Sequence, residues 1–166
     1  MELDIKQILS GASEQLPFDG SLDLSDIKWH GDVLFPEVLA VKGEVTNRAG
    51  VVTLRYQITG AMPYRCDRCL MQCRKDINSE FSHTVVNELQ DEELDDIYLV
   101  CPEGILNIEE IATSDLLLSL PSKLLCREDC KGLCSECGAN LNEGDCGCSK
   151  KAVDPRLQKL ADLLKG

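Results

Sequence analysis

CREDCKGLCSECGANLNEGDCGC, the segment Cys126–Cys148, holds six of the ten cysteines in the protein and decides how its C-terminal part can fold. It contains a C-x-x-C pair and, after a short polar loop, a C-x-C pair. Two such pairs can bring four thiolates to the corners of a tetrahedron, which is the geometry that Zn²⁺ accepts in structural sites. Gly138 can take the positive φ of a sharp turn, and Asn140 and Asn142 add turn residues between the pairs. The predicted ligands of one zinc ion are Cys134, Cys137, Cys146 and Cys148, with disulfide bonds or free thiols as the alternative.

Four further cysteines could form a second site of the same kind. Cys66 and Cys69 form a C-x-x-C pair in the central segment RCDRCLMQC, and Cys126 and Cys130 precede the first predicted site. Together they would supply four more thiolates and a second zinc ion. Two alternatives stay open: Cys126 and Cys130 replace ligands of the first site, or the surplus cysteines are small core residues. The sequence therefore predicts one or two Zn²⁺.

Length and charge exclude several classes of protein. The protein has 166 residues and a net charge of −12, which argues against non-specific binding to polyanions. Its first residues, MELDIKQILS, carry charges early, and no apolar run is long enough to span a bilayer. We expect a soluble cytoplasmic protein with no membrane partner. Because the cytosol keeps thiols reduced, dense cysteines there favour metal binding over disulfide bonds.

Hydrophobic periodicity predicts an α+β core domain over residues 1–121. Apolar residues alternate from Val41 to Val45 and again from Val52 to Ile58, which indicates an antiparallel hairpin. A third strand over Ile77–Val85 returns antiparallel to it, so Cys66 and Cys69 are expected on a turn at the sheet edge. A helix from Asn107 to about Ser119 begins with a capping-box pattern and presents an apolar face that we expect to pack on the sheet.

The rest of the protein is predicted to form appended segments. The run QDEELDD at positions 90–96 is an acidic linker, and residues 122–150 form a cysteine-rich zinc module. Asp154 and Pro155 begin a C-terminal amphipathic helix within residues 151–166, because they suit its N-cap and first position. The predicted fold class is therefore α+β, mainly an antiparallel sheet with a packed helix, followed by the zinc module and the terminal helix.

Basic residues flank both groups of cysteines. Arg65 and Arg68 lie beside the central pair, and Lys150 and Lys151 follow the C-terminal group. These four residues are candidates for contact with RNA phosphates, since lysine and arginine carry most phosphate contacts. The alternative is that they are solvated charges balanced by neighbouring acidic residues.

Signals for catalysis are weak. His30 and His83 are isolated in sequence, and no nucleophile elbow, phosphate-binding loop or H-E-x-x-H motif occurs. We therefore expect a protein that is not an enzyme and has no small-molecule substrate. The alternative is that Cys66 and Cys69 form a redox dithiol, with Arg65 and Arg68 lowering the thiol pKa. A thioredoxin-like pair, however, is expected after a parallel strand, and this one follows a hairpin strand.

Four motifs together resemble the bacterial YceD family of large ribosomal RNA subunit accumulation proteins. They are CDRCL after a β-hairpin, an IEEI helix ending in LLLSLP, the segment LCREDCKGLCSECGANLNEGDCGC, and a terminal DPRLQKLADLL. The resemblance implies a non-catalytic role in 23S rRNA accumulation and large-subunit assembly, with precursor 23S rRNA or a basic large-subunit ribosomal protein as the partner. Some members of that family keep only the pair that corresponds to Cys66 and Cys69. The resemblance thus implies that zinc in the C-terminal cluster stabilises the C-terminal module in this branch of the family. The alternative function is a redox-responsive zinc switch or a thiol oxidoreductase.

Overall fold

The computed structural model describes residues 1–29, 31–88 and 98–148. Its contacts divide the protein into two compact units. We call Met1–Arg65 with Gln72–Leu124 the sheet unit, and Cys66–Met71 with Leu125–Gly166 the cysteine unit. The central pair, Cys66 and Cys69, thus belongs to the same unit as the C-terminal cysteines.

All of the helices and strands in the described residues lie in the sheet unit. They are β1 (Glu2–Asp4), α1 (Lys6–Leu9), β2 (Gln15–Leu22), β3 (Lys28–Trp29), β4 (Asp32–Val33), β5 (Leu39–Arg48), β6 (Val51–Arg65), β7 (Gln72–Val86), β8 (Tyr98–Val100), β9 (Ile105–Asn107) and α2 (Ile108–Ser119). The mixed α+β class with a mainly antiparallel sheet, predicted from periodicity, is confirmed.

Five strands form the main sheet in the order β2-β5-β6-β7-β8. Its neighbours run antiparallel except β7 and β8, which pair in parallel. The predicted hairpin of β5 and β6 is confirmed, and it turns at Ala49 and Gly50, whose φ angles are 52° and 84°. Two residues with positive φ match the twist of a tight hairpin. The strand pairs β1–β9 and β3–β4 form two small additional sheets.

The core of the sheet unit follows from the alternation along the hairpin. Val45, Leu54 and Ile58 are fully buried, because every second side chain of a strand points to the same face of the sheet. Helix α2 adds Ala112 and Leu116 to the same core cluster. This confirms that the apolar face of the predicted helix is buried.

Both ends of α2 follow from local sequence. The side-chain oxygen of Asn107 accepts a hydrogen bond from the backbone N–H of Glu110 at 3.3 Å, as expected of an N-cap residue. The helix ends at Ser119, and Leu120 is extended with ψ of 140°. A residue that precedes proline is driven to this conformation, and Pro121 follows.

Three predicted features lie outside the described residues. They are the acidic linker at positions 90–96, the terminal helix within residues 151–166, and the lysine pair Lys150 and Lys151. Within the described ranges, no helix is both long and apolar enough to cross a bilayer.

Candidate metal centres

The central pair, Cys66 and Cys69, sits on a tight turn that joins β6 to β7, as the sequence predicted. The backbone N–H of Cys66 donates to the Met71 carbonyl oxygen at 2.9 Å, and the N–H of Leu70 donates back to the Cys66 carbonyl oxygen at 2.9 Å. Leu70 has φ of 59°, a left-handed conformation that is unusual for any residue other than glycine. We call the segment Cys66–Met71 the first knuckle.

Residues 134–139 repeat this turn, and we call them the second knuckle. The N–H of Cys134 donates to the Ala139 carbonyl oxygen at 2.8 Å, and the N–H of Gly138 donates to the Cys134 carbonyl oxygen at 2.9 Å. Gly138 has φ of 73°, as predicted, and occupies the position that Leu70 holds in the first knuckle. The two pairs therefore present their sulfur atoms from the same backbone geometry.

The first knuckle contributes to a four-cysteine group that we call the inner cluster. Its members are Cys66, Cys69, Cys126 and Cys130, whose Sγ atoms all lie within 4.8 Å of one another. The Sγ atoms of Cys66 and Cys130 are 3.8 Å apart, and those of Cys69 and Cys126 are 3.7 Å apart. Four thiolates at about 2.3 Å from a tetrahedral Zn²⁺ are about 3.8 Å from each other, whereas a disulfide bond needs about 2.0 Å. The spacing of the inner cluster therefore fits a tetrahedral metal ion.

The second knuckle contributes to the outer cluster. Its members are Cys134, Cys137, Cys146 and Cys148, whose Sγ atoms also lie within 4.8 Å of one another. Cys137 and Cys148 are exposed, whereas Cys66, Cys69 and Cys130 of the inner cluster are buried. The structure thus brings together both predicted sets of cysteines, with Cys126 and Cys130 in the inner cluster, and each set could hold a metal ion.

Each cluster combines sulfurs with low and high pKa values. Burial raises the pKa of Cys66, but hydrogen bonds from backbone N–H groups, first that of Cys126, outweigh burial and lower this pKa to about 6. Burial raises the pKa of the Cys126 thiol to about 12. In the outer cluster, N–H donation from Cys137 lowers the pKa of Cys134 to about 6, while the Cys137 thiol raises that of Cys148 to about 12. Metal binding to either cluster must therefore release protons from the neutral thiols.

The surroundings of the central pair do not favour thiol exchange. Cys66 is 0% exposed and Cys69 is 6% exposed, whereas a redox dithiol must offer a sulfur to its substrate. The two cysteines outside the clusters, Cys73 and Cys101, lie in the sheet unit. Burial raises the pKa of Cys101, which lowers the fraction of reactive thiolate at neutral pH.

Both described candidates for RNA contact have partners within the protein. Arg65 pairs with Asp32 at 3.1 Å, and both residues are about half exposed. Arg68 donates from Nη1 to the carbonyl oxygen of Cys130 at 2.8 Å. Arg68 thus supports the backbone of the inner cluster, whereas Arg65 remains accessible from solvent.

Asn142 has contacts that turn propensity did not suggest. Its Nδ2 donates to the Sγ of Cys130 at 3.3 Å and to Asn140 Oδ1 at 2.8 Å. Its Oδ1 accepts from the backbone N–H of Lys131 and from Arg127, each at 2.8 Å. The sequence offers no signal for these bonds beyond the presence of an asparagine in the loop between the two cysteine pairs.

His83 is isolated in sequence but not in the fold. Its Nε2 lies 2.5 Å from Asp115 Oδ2, and the Tyr56 hydroxyl donates to the same carboxylate. Burial, followed by the Asp115 carboxylate, raises the pKa of Tyr56 well above its usual value. This trio ties β6, β7 and α2 together within the sheet unit.

Comparison with known proteins finds relatives of this chain in mycobacteria. The chain is 36% identical over 62 residues to an uncharacterized protein of Mycobacterium leprae, covering 37% of this chain and 28% of the relative. It is 32% identical over 103 residues to uncharacterized proteins of Mycobacterium bovis and Mycobacterium tuberculosis, covering 60% of this chain and 49% of each relative. The chain thus matches about half or less of the length of these curated relatives. No solved structure matches it significantly.

The family model described as large ribosomal RNA subunit accumulation protein YceD matches residues 54–164. The matched region begins in β6 and includes both knuckles and all the cysteines of the inner and outer clusters. Because the match extends over more than half of the sequence, the protein belongs to the YceD family.

Proposed function

We propose that this protein is a zinc-stabilised, non-catalytic factor that supports the accumulation of 23S rRNA and the assembly of the large ribosomal subunit. The family match over residues 54–164 carries this proposal, because the family is described as large ribosomal RNA subunit accumulation protein. The described residues are compatible with a supporting factor, since eight of the ten cysteines form two sets of four that could each hold a structural metal ion.

Zn²⁺ is the metal that we assign to both clusters. Four thiolates favour soft or borderline metals, and a closed tetrahedral set is typical of structural zinc. The distances of 3.7 and 3.8 Å between inner-cluster sulfurs support this assignment. Zinc in these clusters leaves no open coordination position for a substrate, which agrees with a role outside catalysis.

The proposed partner is precursor 23S rRNA or a basic large-subunit ribosomal protein. A protein with a net charge of −12 must either present a local basic surface to RNA or use its acidic surface on a basic protein. The intramolecular partners of Arg65 and Arg68 reduce the cationic surface that the described residues offer to RNA. The lysine pair Lys150 and Lys151 is therefore the basic site to test first.

Crosslinking in cells tests the role and the partner together. The tagged full-length protein is crosslinked in a bacterium that carries it. The attached RNA is then sequenced, and the attached proteins are identified by mass spectrometry. We expect enrichment of 23S rRNA precursors, or of a basic large-subunit protein, over mature subunits. Depletion should also lower the ratio of 23S to 16S rRNA. An unchanged ratio on depletion would contradict the proposed role.

A further inference from the structure

We propose that Asn142 is a positioning residue that couples the two clusters, so that metal in the outer cluster raises the affinity of the inner cluster. The inference rests on the proposed zinc binding. Asn142 belongs to the loop between Cys137 and Cys146 of the outer cluster, yet its amide nitrogen lies 3.3 Å from Cys130 of the inner cluster.

Every hydrogen-bonding position of the Asn142 amide is used. A carboxamide offers two N–H donors and an oxygen that accepts two hydrogen bonds. The oxygen faces the N–H groups of Lys131 and Arg127, and the nitrogen faces Cys130 Sγ and Asn140 Oδ1. Rotating the amide by half a turn would set donors against donors and acceptors against acceptors. The N–H therefore points at the sulfur.

The backbone around Asn142 gives this amide a fixed place. The N–H of Leu141 donates to the Gly132 carbonyl oxygen at 2.9 Å, and Leu133 forms a bridge with Asn140. Asn142 also holds the N–H of Lys131, the residue that follows Cys130. The loop between the outer-cluster pairs thus supports the inner-cluster ligand at its sulfur and at the adjacent peptide.

Metal in the outer cluster would fix both ends of this loop, because its ligands flank residues 138–145. A fixed loop presents Asn142 to Cys130 without a further loss of conformational freedom, so the inner cluster binds its metal more tightly. Partners that hydrogen-bond to metal ligands typically contribute 10- to 100-fold in metal affinity. We expect a coupling of about that size, and binding linkage makes it equal in both directions.

The test uses the full-length protein loaded with Cd²⁺, which binds thiolates as zinc does. Cadmium NMR should show one resonance for each cluster, and replacing Cys137 by Ser assigns them by removing the outer one. Titration with a chelator then gives the affinity of the inner cluster for its metal ion.

Asn142→Asp keeps the acceptor for Lys131 but replaces the donor to Cys130 with a carboxylate oxygen. We expect it to weaken the inner cluster by roughly 10- to 100-fold, and Asn142→Ala to weaken it also.

A double-mutant cycle separates the coupling that passes through the Asn142 side chain from coupling through the backbone contacts of Leu141 and Asn140. Cys137→Ser should weaken the inner cluster in the wild-type background and cause no further loss in the Asn142→Asp background. Glu143→Gln is the matched control, since Glu143 lies in the same loop but bonds to Asn140 rather than to a cysteine. An unchanged inner cluster in Asn142→Asp, or an equal effect of Cys137→Ser in both backgrounds, would overturn the coupling. A wild-type protein that binds neither zinc nor cadmium would instead contradict the proposed function on which the coupling rests.

Discussion

The sulfur atoms of Cys66 and Cys130 lie 3.8 Å apart although the two residues are separated by 64 positions in the sequence. One comes from the turn that joins two long strands, and the other from the C-terminal cysteine-rich segment. A metal ion held by both would link these distant parts of the cysteine unit to one centre.

We expect two zinc ions per molecule, one in each cluster. Cys66→Ser should remove one ion because it takes a ligand from the inner cluster, and Cys137→Ser should remove one from the outer cluster. Elemental analysis of protein purified without chelator gives the count, and Cys73→Ser serves as a control that leaves it at two. A count that does not change with Cys66→Ser would show that the inner cluster holds no metal.

Chelation should unfold the cysteine unit and spare the sheet unit. The hydrophobic cluster around the first knuckle consists of three buried cysteines with Leu125, Cys126 and Leu133 packed against it. So small a core cannot replace structural zinc, which contributes about 10 to 16 kcal/mol of apparent binding free energy at neutral pH. Hydrogen exchange should therefore lose protection over Cys66–Met71 and residues 125–148. Protection in β5 and β6 should persist, and its loss would contradict an independently stable sheet unit.

The two knuckles predict opposite effects of substitutions at one equivalent position. Gly138 has φ of 73° and open space where the methyl group of an alanine would lie, so Gly138→Ala adds backbone strain and no clash. We expect it to destabilise the metal-bound cysteine unit by about 1 kcal/mol. Leu70→Gly relieves the same strain and should be neutral or stabilising, because Leu70 is 56% exposed and loses little packing. Chelator midpoints of the two variants measure both effects, and a loss of stability in Leu70→Gly would contradict the prediction.

The bond from Tyr56 to Asp115 should stabilise the sheet unit. Tyr56→Phe removes the hydroxyl from a residue that is 4% exposed and leaves Asp115 bonded to His83. We expect a loss of about 1.5 to 3 kcal/mol, typical of a hydrogen bond to a charged group. Urea unfolding followed by the fluorescence of Trp29, the single tryptophan, reports on this unit alone. Gln57→Ala, next to Tyr56 but with an exposed side-chain hydrogen bond, is the control and should change stability less.

The same tyrosine makes a prediction about alkaline pH. Burial, and then the Asp115 carboxylate, raises the pKa of Tyr56 above its ordinary value of 10.0. The unfolded protein therefore loses this proton at lower pH than the folded protein, so the stabilisation is complete below about pH 10 and falls as pH rises above it. The stability difference between wild type and Tyr56→Phe should shrink as the pH rises from about 10 to about 11. A difference that stays constant over this range would contradict the assigned shift.

Charge reversal should identify the ribosomal partner. If RNA is contacted, changing Arg65, Lys150 and Lys151 to Glu should abolish association with large-subunit precursors. Arg68 is left unchanged because its guanidinium donates to the Cys130 carbonyl oxygen, so its loss would disturb the inner cluster. If a basic protein is contacted, neutralising the acidic residues of the linker at positions 90–96 should abolish association instead. Sedimentation with ribosomal precursors measures both, and association that survives both changes would exclude the two electrostatic accounts.

The sequence alone determined the β5–β6 hairpin, the start and end of α2, and the turn that carries Cys66 and Cys69. These features depend on signals that are local in the sequence: alternation of apolar residues, an asparagine three positions before a glutamate, and a proline after the last helical turn. The spacing of the outer cluster is local as well, since all four of its cysteines lie within residues 134–148. Such features need no knowledge of distant contacts.

The tertiary structure decided what depends on residues far apart in the sequence. Whether Cys126 and Cys130 join the central pair could not be settled from spacing, because four thiolates from any combination of pairs satisfy the same tetrahedron. The parallel pairing of β8 with β7 and the approach of His83 to Asp115 likewise depend on how the sheet is assembled. Leu70 gave no sequence signal of a left-handed turn, since that conformation favours glycine and is imposed here by the fold of the knuckle. Asn142 reaches Cys130 for the same reason: the direction of a side-chain hydrogen bond is fixed by the packing around it and not by the residue type.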